Sequence, residues 1–324
     1  MRSGHPRIRF WFESRLIRLA LIVIPPMPRA ILLRLAAFMG MMAYWFAPRL
    51  RRIAHANLDM AFGPTLNRRA RAALAKASFC NFARMLLDIA WFTRDSKARV
   101  AKWVTVDPSV AEHVPAPGVS IFGVTAHFGN WELLSRAFRQ AGYDHVAVAA
   151  ILANPDVDQF FNSLRANSGV EIIPQQGAVR GILKAIKAGK SVALLLDQNT
   201  KPAEGGVWVK LFGMPATMSA APAVLAGRTG GPVIPLFCEA LPNGHYRMYA
   251  HPPLHSHGKD ASPDELCQAI AECFEKEIRR RPEQWLWMYK RWKLIPEGMS
   301  REQFPWYAKS LPGTNQKSEN SRHD

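Results

Sequence analysis

Acidic residues are the scarce class in this chain. Only 25 Asp and Glu stand against 42 Lys and Arg in 324 residues, a formal net charge of +17. Cysteine is also sparse, with four residues (Cys80, Cys238, Cys267, Cys273) and no CxxC pair or His/Cys ligand spacing. That pattern excludes a disulfide framework and a structural zinc motif, and suits a reducing compartment. Neither HExxH nor GxSxG occurs, which removes the zinc-protease and serine-hydrolase readings. "AGKS" (188–191) resembles the end of a phosphate-binding loop. The glycine required upstream is Lys184, however, and the order is helix–turn–strand rather than strand–loop–helix. Helix-turn-helix, zinc-finger and RNP signatures are missing, so the positive charge is not read as nucleic-acid binding. The chain has no internal repeats, and no long apolar stretch free of charge or proline. Residues 16–24 are too short to span a bilayer and are stopped by "PPMPR" (25–29), while residues 30–47 have the length but contain Arg34. No small-residue cleavage pattern follows, so removal of this segment is not expected.

What is present is a hydrophobic fraction of 48%, enough for a large core. The basic excess is concentrated at the start, where residues 1–55 hold ten arginines and one acid, Glu13. These arginines alternate with "FWF", "LIRLALIVI" and "AILLRLAAFMGMMAYWFA". Such interleaving fits an anionic membrane surface, with arginine stems lying along lipid and heads reaching phosphate. The segment reads as an interfacial or membrane-embedded helical pair, with a single true span and a soluble-core packing as the alternatives. The expected organisation is a membrane-associated N-terminal segment (1–50), a main domain (51–308) and a polar, disordered tail (309–324).

Beyond a periodic helix at 67–92, helix and strand signals alternate. Strands are expected at 118–126, 145–152, 170–175 and 191–197, and helices at 130–141, 155–169 and 178–189. A polar loop (198–206) leads to a short strand, a small-residue helix and a strand pair around "PNG". A final helix over 262–281 carries an N-cap serine, an early proline, early acids and late arginines. The fold class that follows is α/β, with a mixed, mostly parallel central sheet flanked by helices.

Two places have a histidine followed five residues later by an acid, His127–Glu132 and His255–Asp260. The spacing alone is weak evidence in a chain with ten histidines. The second pair lies in the proline-flanked loop "HPPLHSHGKDASP", where a solvated loop outweighs both catalysis and metal binding by His251, His255 and His257. The first follows a buried strand, has Gly129 for a tight turn, and puts Glu132 in the first turn of a helix. Active sites of α/β folds gather at the carboxyl ends of strands. A carboxylate there fixes an imidazole tautomer and leaves the other nitrogen to accept a proton. The alternative from local context is that Glu132 complements the helix dipole and His127 is an ordinary loop residue.

Several segments then converge on one family. "RRIAHANLDMAFG" (51–63), "TAHFGNWELL" (125–134), "LLLDQN" (194–199), "GGVWVKLFGMPATMSAAPAVLAGRTGGPVIPLF" (205–237) and "RRPEQWLWMYKRWKLIP" (280–296) occur in order. Over residues 10–300 the chain resembles the bacterial lipid A biosynthesis acyltransferases of the lauroyl/myristoyl type, relatives of the glycerolipid acyltransferases. The resemblance implies a glycerolipid-acyltransferase-like fold. It also implies transfer of a fatty acyl group from an acyl carrier protein thioester to a hydroxyl of a lipid A precursor, at the cytoplasmic face of a bacterial inner membrane. Neither metal nor cofactor nor covalent enzyme intermediate is implied. His127 matches the base and Glu132 its partner carboxylate. Asp197 and Gln198 match a strand-end pair walling the pocket, Phe212, Gly213 and Pro215 a segment shaping a substrate groove, and Arg291 and Lys293 a basic pair for lipid phosphate or carrier protein. Relatives place an arginine just after the third strand, where this chain has "IIPQQGAVR". Arg165 or Arg180 is the expected substitute. Competing readings are another lipid acceptor, such as a lysophospholipid or a mannosylated inositol lipid, and an inactive membrane-binding protein.

Overall fold

A computed structural model describes residues 6–254 and 262–311. His255, His257 and Asp260, and the part of the expected tail from residue 312 on, lie outside the described residues. The chain opens with two helices, α1 (Pro6–Val23) and α2 (Arg29–Phe46), separated by the proline-rich turn. α3 (Pro48–Phe62) and α4 (Arg68–Trp91) follow, the latter capped by Asn67, whose side chain accepts from Ala70 N. Two short helices, α5 (Ser96–Trp103) and α6 (Pro108–His113), flank β1 (Val104–Val106). Periodicity did not reveal α3, α5, α6 or β1, which are short or polar enough to leave no clear apolar repeat.

From residue 122 the expected alternation holds. β2 (Phe122–Thr125), α7 (Trp131–Gln140), β3 (His145–Ala149), α8 (Pro155–Asn167), β4 (Glu171–Pro174), α9 (Ala178–Lys187) and β5 (Ser191–Leu195) follow in order. The hairpin β6 (Gly206–Leu211) and β7 (Met214–Ser219) stands apart as a two-stranded sheet. α10 (Ala221–Thr229), β8 (Val233–Ala240), β9 (Tyr246–Ala250) and α11 (Pro263–Arg280) complete the main layers. The central sheet runs β1-β9-β8-β2-β5-β3-β4, parallel throughout except for the antiparallel β8–β9 pair. β2 and β5 sit at its centre, and β2 is buried along its whole length. The chain then returns across the strand ends to pair β10 (Leu294–Ile295) with β11 (Lys309–Ser310). The ordered domain therefore reaches past residue 308, where the tail was expected to begin.

α2 has the length and apolarity to cross a membrane, as judged by those two criteria alone. In the structure one of its faces, Arg29, Leu32, Ala36, Gly40 and Tyr44, is buried at near four-residue spacing, and the helix packs along α4. Gly40 makes the contact possible, because a Cβ there would lie 2.4 Å from Cys80 Cα. Arg29 anchors the start of the helix through a buried ion pair with Asp88 on α4, and Tyr246 donates to the same carboxylate. The opposite face leaves Phe38, Met39, Met41, Trp45 and Phe46 exposed, as α1 does with Trp11, Phe12, Leu16, Leu19 and Ile22. Gly40→Val is expected to force α2 away from α4 and cost about 1–3 kcal/mol, the usual range for overpacking. Thermal unfolding in detergent measures the loss, and an unchanged midpoint contradicts the close contact.

Candidate active site

β2 and β5 are parallel neighbours in the register Thr125↔Leu195. Two residues beyond each strand end, the same alignment brings His127 against Asp197. The imidazole Nδ1 lies 2.7 Å from Asp197 Oδ1, and the backbone N–H of His127 donates to Oδ2 at 3.0 Å. The Trp285 indole N–H donates to that same Oδ2 at 2.7 Å. Burial by itself pushes the Asp197 carboxyl up. The charge and hydrogen bonds of His127, with the Trp285 donor, outweigh it and hold the group below the usual carboxylate value. Asp197 is thus a buried anion with three donors. With Nδ1–H given to this carboxylate, Nε2 carries the lone pair, and the exposed Gln198 amide nitrogen sits 3.2 Å from it.

The loop after His127 is clamped on both sides. Gly129 has φ +59° and its missing Cβ would fall 2.1 Å from the Cys238 carbonyl oxygen. Only glycine fits there. Gly129 N donates to Gln284 O, Asn130 N to Cys238 O, and Leu286 N to His127 O. Asn130 then caps α7 by accepting from Leu133 N. The segment 284–286 therefore holds the histidine loop through its backbone and the partner carboxylate through Trp285.

The carboxylate at hydrogen-bond distance from the imidazole is Asp197, not the Glu132 expected from the spacing. Asn130 caps α7, and Glu132 falls in its first turn, lining the space between α7 and the strands. There Arg165 from α8 meets it with two bonds, Nη2 to Oε1 at 2.6 Å and Nε to Oε2 at 3.1 Å. Arg136, one turn along α7, is a second guanidinium in the field of Glu132. Its burial lowers its pKa, against the pull of that carboxylate. Glu132 and Arg165 line a cavity of about 80 Å³ beneath α7, otherwise walled largely by apolar atoms of β2, β3 and β5 such as Val148, Val192 and Leu194.

The remaining expected site residues divide by burial. Arg291 is 2% exposed, and its guanidinium donates to Asn199 Oδ1 and Thr217 O. It holds the loop after Asp197 onto β7 and is not free to grip a phosphate, which corrects its expected role. Phe212 is likewise buried rather than facing a groove. It occupies the turn of the β6–β7 hairpin with Gly213, at φ 54° and 75°. Both values are positive, as a type I′ hairpin turn requires. Its ring packs among Phe62, Trp285, Trp287 and Trp292. Lys293 is exposed. Arg180 is exposed on α9 with Lys184 and Lys187 along a shallow depression that shares no residue with the histidine site. Of the two substitute arginines, only Arg165 joins the site's elements. Gln284, Trp285 and Asn199 were not singled out in the sequence, although the tryptophan-rich run 285–292 was conspicuous enough to point to them.

The profile of the bacterial lipid A biosynthesis acyltransferases matches residues 4–294. Among curated relatives, the Escherichia coli lipid A biosynthesis lauroyltransferase is 28% identical over 306 residues, covering 91% of this chain and 95% of that protein. The Escherichia coli lipid A biosynthesis palmitoleoyltransferase is 27% identical over 286 residues, 85% of this chain and 89% of its own. A phosphatidylinositol mannoside acyltransferase from Mycobacterium tuberculosis is 26% identical over 181 residues, about half of each chain. Matched over nearly its whole length, this chain, with its histidine held by a buried carboxylate at the carboxyl ends of the central strands, belongs to the bacterial lipid A biosynthesis acyltransferase family.

Proposed function

We propose that this enzyme transfers a fatty acyl group from an acyl carrier protein thioester to a hydroxyl of a lipid A precursor, at the cytoplasmic face of the bacterial inner membrane. The observation that carries the chemistry is the His127–Asp197 contact. His127 Nε2 takes the proton of the acceptor hydroxyl as its oxygen attacks the thioester carbonyl carbon. Asp197 accepts from Nδ1–H throughout and stabilises the imidazolium that forms. Collapse of the tetrahedral intermediate breaks the carbon–sulfur bond, and the proton on Nε2 passes to the departing thiolate. Gln198, exposed and bonded to the lone pair, gives way to the acceptor hydroxyl. Glu132 acts one step removed: it fixes Arg165 at the mouth of the apolar cavity, which receives part of a hydrocarbon chain. The acceptor class rests on the lauroyl- and palmitoleoyltransferases among the relatives. A mannosylated inositol lipid is the second reading, favoured by the phosphatidylinositol mannoside acyltransferases. The acidic carrier protein finds its complement in the net charge of +17. Mass spectrometry of lipid A from cells with and without the gene decides the acceptor, since an unchanged acylation pattern rules lipid A out.

Kinetics of three variants test the division of labour. His127→Ala is expected to lower kcat by about 10²–10⁴-fold, the range for a positioned general base, and Asp197→Asn to approach it by removing the charge behind the imidazole. Glu132→Gln is expected to raise the KM for lipid more than it lowers kcat, because it frees Arg165 and leaves the histidine pair in place. Equal kcat losses in Glu132→Gln and Asp197→Asn, with KM unchanged, overturn the assignment.

The exposed faces of α1 and α2 support membrane attachment through interfacial helices. Placing Glu at both Leu16 and Leu19, which are exposed on α1, is expected to shift the protein from membrane pellet to supernatant without altering its melting. A variant that still pellets fully in high salt, where charge attraction is screened, contradicts attachment through this face.

A further inference from the structure

Away from the histidine site, the junction of α2, α3 and α4 forms an open cleft of about 520 Å³ lined by Tyr44, Arg51, His55, Arg68, Arg71 and Ala72. Its charge is one-sided. Arg71 pairs with Asp59, while Arg51, Arg68 and Lys76 form no ion pair among the described residues. Arg51 reaches only the Tyr44 carbonyl, at 3.4 Å. Arg71 spends Nη2 on the carbonyls of Gly63 and Leu66, and its Nε is buried without a partner. The Lys76 ammonium stands 5.6 Å above the Tyr44 ring and 5.3 Å above Trp45, and Arg51 lies over the same two rings. Burial holds the His55 imidazole below its usual value against the pull of Asp59, with Arg71, Arg51 and Arg68 adding to the fall. Tyr44 Oη lies 3.1 Å from His55 Nε2. A concave site with three guanidinium groups and one carboxylate calls for an anion with several acceptor oxygens.

The surroundings say which anion. The cleft begins where α2 ends, and the last residues of α2, Trp45 and Phe46, are 55% and 76% exposed, with Leu50 exposed on α3. Aromatic and apolar side chains beside a phosphate-sized basic cleft suit the boundary between acyl chains and headgroups. A soluble anion needs no such border.

We propose that this cleft binds the phosphomonoester headgroup of a membrane lipid through Arg51 and Arg68, with Arg71, tied to Asp59, forming its wall. The inference rests on the reading that the enzyme works at a membrane surface, and its test reads binding rather than acyl transfer. Full-length protein is mixed with phosphatidylcholine vesicles doped with phosphatidic acid, or with oleate at matched surface charge, which supplies an anion without a phosphomonoester. Arg51→Gln with Arg68→Gln is expected to weaken binding to the phosphatidic acid vesicles about 30-fold, at ~1 kcal/mol for each hydrogen-bonded contact to the phosphate that is lost, and to weaken binding to oleate vesicles no more than the α5 control does. Lys97→Gln with Lys102→Gln, two exposed cations on α5, is the control for lost charge. Arg68→Gln alone, whose side chain makes no hydrogen bond among the described residues, keeps the test open if the double variant melts early. Equal losses on both vesicle types, or from the α5 pair, reduce the effect to bulk charge and overturn the site. So does a variant that binds phosphatidic acid vesicles like the wild type. Calorimetric titration with inorganic phosphate separates the sources: phosphate binding lost in the variant while vesicle binding persists assigns the cleft to a soluble anion and overturns the proposal. Wild-type protein that ignores both vesicle types overturns the membrane reading together with the cleft, whereas a failure of the variant alone leaves that reading standing.

Discussion

A buried negative charge is the constraint around which the site is arranged. Asp197 loses its water at the end of β5 and recovers that solvation from three fixed donors: the His127 ring, the His127 backbone and the Trp285 indole. An uncompensated carboxylate at this depth would cost several kcal/mol. Each donor is therefore held in place by the same energy that it supplies. The requirement reaches further through Trp285, whose ring borders Phe212 and Trp287. Thr217 and Asn199, tied by Arg291, fix the loop that follows the carboxylate. Phe212 takes a left-handed conformation unusual for a large side chain, which its four aromatic neighbours maintain. Phe212, expected in a substrate groove, thus stands in the wall behind the acid.

The alternation of strands and helices from residue 118 was legible because each element carries its own period and its own stop signal. Gly142, Gly169 and Gly189 each adopt positive φ at or just beyond the end of α7, α8 or α9, where the helix endings had been expected. His127 was legible too, as a polar residue at the end of a buried strand. Its partner was not. Glu132 lies five residues away in the chain but on the far side of a helix start, while Asp197 lies seventy residues away and one strand across. Spacing along a chain records neighbours on one element, and a parallel register between two strands leaves no such trace. Arg291 was misread for a related reason: its type suggests a phosphate ligand, and only its burial shows a structural one.

The N-terminal helices reconcile two demands that composition alone left open. α2 is apolar enough to enter a membrane, yet its buried face is occupied by α4 and its first arginine is locked to Asp88. The remaining surface is an apolar ridge fixed rigidly to the catalytic domain. The ridge and the strand ends keep one fixed orientation to each other, since α2 packs directly along α4.

The clamp formed by residues 284–286 has a bearing on synthesis. Seven sheet strands are complete once β9 has emerged from the ribosome, and the sheet can assemble with His127 and Asp197 already in register. The groups that hold their loops, the Gln284 carbonyl, the Leu286 amide and the Trp285 indole, are translated after α11. A nascent chain therefore carries His127 through about 160 residues of further synthesis before the scaffold that aligns it is made. The alignment of His127 with Asp197 is complete only when the final segment docks across the strand ends.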